Sequence, residues 1–205
     1  MVHLKKINNP RYCLGFFLFG IFFVYFCLPK VYICNIKFVM SIHKKNISLI
    51  DSNHLVDYIL MKGGAMSHLK IQKILFYIQA YHLAYFDNPI IEDDFQAWVH
   101  GPVSRKIYDS AKDLSILHTE LQFVLEQDEK SPIDIVNQTL TSSQVELIDD
   151  VIDELKGLSG LQLENMTHSE EPWIFARRGY EAGERCNVVI PNDLIRDFYK
   201  KQIYG

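Results

Sequence analysis

The sequence predicts a mainly α-helical protein, a compact single-domain helical bundle with at most a short pair of strands. Three observations lead to this class. Apolar residues recur at intervals of three and four along most of the chain after residue 50. Residues that favour helix N-termini precede several of these runs, and glycine or proline follows them. The alternation typical of a strand is confined to one short segment.

The first two helices have the clearest signals. Asp51 or Ser52 can cap the first helix, and Gly63 and Gly64 end it. Ser67 can cap the second helix, which residues 87–89 (Asp-Asn-Pro) terminate. One face of this second helix carries Ile71, Ile74, Ile78, Tyr81 and Tyr85, spaced three or four apart. Such spacing predicts a long helix with a buried face.

The middle of the chain is less regular. Residues 95–100 alternate between apolar and other side chains, which predicts at best a short strand. Gly101 and Pro102 follow, and proline suits the first position of a helix because it has no N–H to leave unpaired. We therefore expect a third helix to begin there, with Val103 and Ile107 one turn apart. Residues 114–136 predict a partly helical connection.

The last third again reads as helical. Thr141 and Gln144 form a capping-box pattern before an amphipathic run that Gly157 ends. Shorter helices are expected at residues 161–166 and 172–177, and a final helix at residues 191–202.

The leading segment, residues 1–39, differs in kind from the rest. It has five basic and no acidic residues, and ten of its 39 residues are Phe or Tyr. Residues 12–28 are uncharged, although 17 residues are few for a bilayer span. Because A/T-rich codons encode the frequent residue types, we interpret residues 1–39 as a mis-called upstream segment and Met40 as the natural start, rather than Met1. A hydrophobic anchor and a cleaved signal sequence are the alternatives.

Residues 40–205 form the predicted domain and are acidic, with 16 basic and 25 acidic side chains. An acidic body repels phosphate backbones, so DNA is an unlikely ligand for the protein alone, whereas a basic protein suits it. Cys186 is the only cysteine of this part, which favours a reducing compartment. We expect a cytoplasmic protein; contact with a membrane would require residues 12–28.

Few residues suggest catalysis. His68 and His82 share a helix, and Glu92, Asp93 and Asp94 form an acidic cluster. Together these types of side chain could hold a metal, so a metal-dependent hydrolase is an alternative hypothesis. No nucleophile elbow, phosphate-binding loop or dinucleotide motif occurs in the sequence. We therefore predict a protein that is not an enzyme and needs no cofactor.

Three motifs, in order, resemble those of the Panacea-domain antitoxin family, which includes SocA-like antitoxins and phage-associated GepA-like proteins. Residues 69–77 resemble its LKLQKLLYY helix, with Phe76 in place of the usual tyrosine. Residues 95–103 resemble its AW..GPV signature, and residues 167–177 resemble its TH…PW…AR motif. The candidate motif or partner-binding residues are Lys73, Tyr77, Trp98, His100, Gly101, Pro102, Tyr108, His168, Trp173 and Arg177.

The resemblance implies an antitoxin, or a phage or prophage protein derived from one, that neutralises a cognate toxin by direct contact. SocA-like members also deliver the toxin to a ClpXP-type protease as proteolytic adaptors. The resemblance implies no catalytic site. A third hypothesis is a DNA-binding regulator of its own operon, against which the lack of a basic recognition helix counts.

Overall fold

The fold combines helices with two small antiparallel sheets. The computed structural model describes the backbone of residues 4–6 together with residues 47–114, 117–127 and 129–205. Within these residues there are eight helices and six strands. The prediction of a mainly α-helical bundle with at most a short strand pair is therefore wrong: the fold is mixed α and β. Met40 and the uncharged run at residues 12–28 lie outside the described residues.

The helices follow the chain in this order: α1 (Ser52–Gly63), α2 (His68–Phe86), α3 (Arg105–Ala111), α4 (Pro132–Thr139), α5 (Ser142–Leu155), α6 (Gly160–His168), α7 (Glu171–Ala176) and α8 (Asn192–Tyr204). The strands are β1 (Leu4–Lys6), β2 (Met66–Ser67), β3 (Phe95–Trp98), β4 (Gly101–Ser104), β5 (Glu120–Phe123) and β6 (Val189–Ile190). One sheet has the order β1-β5-β2 and the other the order β4-β3-β6.

The predicted helix termini are confirmed where capping residues marked them. Asp51 caps α1 by accepting a hydrogen bond from the Asn53 amide at 2.8 Å. Thr141 and Gln144 form the predicted capping box of α5. Asp87 ends α2 in the left-handed conformation, with φ of 60°.

Helix α2 is the centre of the domain and packs against α1, α5, α6, α8 and β4. Because neighbours surround it on several sides, most of its residues are buried. Four of its buried polar side chains bond to backbone groups of other segments: Gln72, Lys73, Gln79 and His82. Buried polar groups require hydrogen-bond partners. These four side chains therefore mark the places where α2 lies next to backbone N–H or C=O groups that have no other hydrogen-bond partner within the described ranges.

The predicted third helix at Gly101 and Pro102 is wrong. These residues form β4, which pairs with β3 in a tight hairpin, with Trp98 opposite Gly101. Gly101 has φ of 93°, a conformation that favours glycine and follows the turn. Pro102 lies on β4, which is an edge strand. No described strand pairs with β4 on the side away from β3, so the missing N–H of proline removes no hydrogen bond to a strand there. Helix α3 begins only after Ser104, whose Oγ accepts the Ile107 amide at 3.2 Å.

The connection at residues 114–136 is only partly helical, as expected, but it also contains strand β5. This strand pairs antiparallel with β2 and with β1 from the leading segment. Its buried residue Leu121 joins the core, whereas Glu120 and Gln122 are exposed. Among the described helices, none has both the length and the apolar character that a membrane span requires.

Candidate functional site

Side chains of α2 hold the β3–β4 hairpin through hydrogen bonds to β4. Lys73 is completely buried, and its Nζ donates a hydrogen bond to the Pro102 carbonyl at 2.8 Å. The Gln72 amide oxygen accepts from the Ser104 amide at 2.9 Å, and its Nε2 donates to the Ser104 carbonyl at 3.3 Å. Two consecutive polar residues of α2 thus supply hydrogen bonds to the edge of β4 that faces away from β3, where another strand would otherwise pair.

Burial dominates the electrostatics of Lys73. Desolvation lowers the pKa of its ammonium group to about 7, although the nearby Glu164 carboxylate acts in the opposite direction. This ammonium group, which contacts the Pro102 carbonyl of the hairpin, therefore loses its proton more readily than an exposed lysine does. A Cβ atom on Gly101 would lie 2.8 Å from Lys73 Cε and 2.7 Å from Thr167 Oγ1. Only glycine fits at this close approach between the hairpin and α6.

Helix α7 holds the hairpin from the other side. Trp173 Nε1 donates to the Trp98 carbonyl at 2.9 Å, and Arg177 Nη1 donates to the Ala97 carbonyl at 2.9 Å. Arg177 Nη2 also donates to the carbonyls of Glu181 and Glu184, at 3.1 and 2.8 Å. One buried guanidinium group therefore joins β3, the end of α7 and the loop that follows it.

A partly buried carboxylate that the sequence analysis did not identify lies at the start of α7, where Glu170 is the N-cap residue. Glu170 accepts hydrogen bonds from the hydroxyl groups of Tyr77, at 3.1 Å, and Tyr199, at 2.7 Å. Burial raises the pKa of Glu170 to about 7, and the two hydroxyl groups reduce this effect. Tyr77 thus connects α2 to α8 through Glu170. Its partners are distant in the sequence, so no local pattern indicated them.

Two motif histidines lie beside the hairpin turn. His100 Nδ1 is 3.0 Å from Glu164 Oε1, and half of the His100 side chain is exposed. His168 stacks on Trp173, with ring centroids 4.0 Å apart. Its Nε2 is buried and has no hydrogen-bond partner among the residues described, and burial lowers the pKa of this imidazole. His168 therefore supports the Trp173 ring, whereas His100 faces solvent.

A cleft of about 1080 Å³ opens on the outer side of the hairpin. It is lined by the start of α2, the hairpin turn, α3, Gly183 and residues 185–187. Its aromatic wall is Trp98 and Tyr108, whose ring centroids are 4.7 Å apart, and Tyr108 also stacks on His68 at 5.7 Å. Trp98 and Tyr108 are only partly buried, so their rings are accessible from the cleft. His100 lies at its edge.

The ten candidate residues therefore divide into two sets. Those that line the cleft are Trp98, His100 and Tyr108. Those that hold the hairpin and the adjoining helices from the interior are Lys73, Tyr77, Gly101, Pro102, His168, Trp173 and Arg177. Sequence analysis did not identify Gln72, which bonds to Ser104 and also lines the cleft. It also did not identify Glu164 and Glu170, which contact the motif residues His100 and Tyr77.

The residues of the hydrolase hypothesis lie in separate environments. His68 and His82 are about 20 Å apart along α2. His82 is bonded to the Asn88 carbonyl and to Gln144, and Asp93 accepts from the hydroxyl groups of Ser52 and Ser104. In the described part of the chain, no three His, Cys, Asp or Glu side chains are arranged to hold a metal ion.

A sequence profile described as "Antitoxin SocA-like, Panacea domain" matches residues 71–174, about half of the chain. The chain belongs to this SocA-like antitoxin family. The matched range begins in α2 and ends in α7, so it contains the hairpin and the helices that hold it. No curated protein and no solved structure shows significant similarity to the chain. Membership of the SocA-like family indicates an antitoxin-type role.

Proposed function

We propose that this protein neutralises a cognate toxin protein by binding it directly, and that the cleft beside the hairpin is part of the contact surface. The observation that carries the proposal is the division of the family motif residues. Most of them fix the hairpin from the interior, while Trp98, His100 and Tyr108 line an open concave surface. A rigid concave surface with accessible aromatic rings is typical of a protein-binding site.

The aromatic wall supplies the binding energy in this proposal. Trp and Tyr side chains bury large areas at low entropic cost, and their polar atoms keep hydrogen-bonding capacity. Here Trp98 Nε1 donates to Gln96 Oε1 at 2.8 Å, which orients the Trp98 ring, and Tyr108 is held between His68 and Trp98. A partner would therefore meet rings that are already ordered, which lowers the entropic cost of association.

Co-expression with the product of the adjacent reading frame tests the proposal. We expect the wild-type protein to relieve the toxicity of that product and to form a stable complex with it. Tyr108→Ala removes an aromatic ring from the cleft, so it should weaken the complex at least about tenfold. Tyr204→Ala is the matched control, because Tyr204 is 66% exposed on α8 and does not line the cleft.

Both variants must keep the unfolding midpoint of the wild-type protein within a few degrees for the comparison to count. If no neighbouring product is toxic, or if no complex forms, the proposal fails. If Tyr108→Ala and Tyr204→Ala behave alike, the toxin binds elsewhere on the surface.

Delivery of the toxin to a ClpXP-type protease is a separate part of the proposal, supported by the resemblance to SocA-like members. Toxin half-life in cells with and without the protease distinguishes the two mechanisms. Delivery shortens the half-life only when both the antitoxin and the protease are present, whereas inhibition alone leaves it unchanged.

A further inference from the structure

The side chains that line the cleft are cationic where charged, although the protein is acidic as a whole. Three cationic side chains, Arg105, Lys112 and Arg185, line it, and no aspartate or glutamate is among its described lining residues. Asp109 partly neutralises two of them: its carboxylate is 2.8 Å from Arg105 Nε and 3.2 Å from Lys112 Nζ. Arg185 is exposed and forms no ion pair with any residue that the structure describes. The cations among the lining residues therefore outnumber the carboxylate that pairs with them.

The rest of the lining is largely apolar or aromatic. The walls carry Val99, Val103 and Leu117 in addition to the two aromatic rings, and the buried Cys186 closes one side. Apolar walls with cations at their edge match a segment that presents apolar side chains next to carboxylates. The apolar side chains would move out of water into the cleft, while the carboxylates would face the guanidinium groups.

We propose that the cleft binds an acidic and apolar peptide segment of the partner protein. This inference rests on the proposed function and specifies which part of the partner the cleft recognises. The leading segment of this chain does not have the required chemistry, because residues 1–39 carry no acidic side chain. A nucleic acid fits less well, because a continuous run of phosphates would meet the 25 acidic side chains of residues 40–205 as well as the three cations.

Two pools of blocked, fluorescein-labelled hexapeptides test this inference on the full-length protein. In one pool, two positions are Glu and the other four are mixtures of Leu, Phe, Ala and Ser; in the other pool, Gln replaces Glu. Fluorescence anisotropy gives the half-saturation concentration of each pool. We expect the Glu pool to saturate at a concentration about fivefold lower than that of the Gln pool.

Arg185→Glu should raise the half-saturation concentration of the Glu pool about fivefold or more, because it places a carboxylate where the peptide carboxylate would lie. Lys201→Glu is the control, since it makes the same change of charge at an exposed position near the far end of α8. Lys201→Glu should stay within twofold of the wild-type value.

Equal binding of the two pools, or equal behaviour of the two variants, would overturn the inference. Tighter binding of a labelled 15-nucleotide oligothymidine than of the Glu pool would also overturn it and assign the cleft to nucleic acid. The toxicity assay separates this failure from that of the proposed function. If wild type and Arg185→Glu both relieve toxicity fully, direct neutralisation stands and the acidic-segment inference falls.

Discussion

At the scale of single residues, Arg177 does the most to join separate parts of the chain. Its guanidinium group donates to the carbonyls of Ala97, Glu181 and Glu184 and lies over the Trp173 ring, 5.2 Å from its centroid. Only 6% of the residue is exposed. The planar fork of arginine matches these directions, and a lysine ammonium group in the same place could reach only part of them.

We therefore expect Arg177→Lys to lower the free energy of unfolding by about 2 to 3 kcal/mol, because two of the three carbonyl groups that the buried guanidinium reaches would lose their donor. Urea unfolding measures this loss. Arg178→Lys is the control, because Arg178 is exposed and stacks on Phe175 at the surface. It should cost less than about 0.5 kcal/mol. Equal losses in the two variants would contradict the role given to Arg177.

His82 predicts a dependence of stability on pH. Burial lowers the pKa of its imidazole to about 4, although the hydrogen bond with the Asn88 carbonyl acts in the opposite direction. The unfolded chain takes up this proton near pH 6.5, whereas the folded chain takes it up only near pH 4. The contribution to stability is therefore complete above pH 6.5 and is lost as the pH falls towards 4.

From this group alone, the free energy of unfolding should fall by about 2 kcal/mol between pH 7 and pH 5. His82→Gln should remove that part of the dependence in urea unfolding at the two pH values. His54→Gln, at an exposed position of α1, is the control and should leave the dependence unchanged. Glu170 acts in the opposite direction, because its raised pKa favours the folded state at low pH. Only the difference between variants therefore isolates His82.

At the scale of elements, the β3–β4 hairpin depends on one glycine. A side chain at Gly101 would meet Lys73 and Thr167 and would have to adopt φ of 93°. We expect Gly101→Ala to lower the free energy of unfolding by at least about 2 kcal/mol. Thermal or urea unfolding tests this. Gly157→Ala is the control, because a Cβ there has no neighbour within 4 Å, and it should be nearly neutral. A stable Gly101→Ala protein would contradict the close approach of hairpin and α6.

The sequence predicted the helices better than the strands. Caps and apolar spacing are local signals, and they identified α1, α2 and α5 within a few residues. The strands have two to four residues each, and β4 has no alternation because all its residues are buried. Its stability comes from Gln72 and Lys73, about thirty positions earlier in the chain. No pattern within β4 could show that contact.

The site was predicted only in part, because here too the contacts join positions that are distant in the sequence. Family motifs identified residues that hold the hairpin, such as Lys73, Trp173 and Arg177. They did not identify Glu170, whose partner Tyr77 is 93 positions away, or Arg185 in the cleft. The sequence presents Gln72 only as a polar residue in an apolar helix, which is a weak signal until the helix is known to be buried on several sides.

At the scale of the whole molecule, the acidic charge should affect how fast the toxin binds. A basic toxin would be attracted over distances comparable with the Debye length, which shrinks from about 14 Å to about 4 Å between 50 and 500 mM salt. We expect the association rate constant of the complex to fall about tenfold over this range, with a smaller change in the dissociation rate. Surface plasmon resonance measures both, and an association rate that is independent of salt would contradict the electrostatic contribution.

The inward direction of most motif residues has a consequence for how such proteins can diversify. The side chains that keep the hairpin in place are buried, so changing them costs stability, as the contacts of Lys73 and Arg177 indicate. Lys112 and Arg185 stand at the edge of the cleft on the surface, where exchanges cost little. Related proteins could therefore come to bind a different toxin through a few substitutions at that edge, while the buried residues that hold the hairpin stay the same.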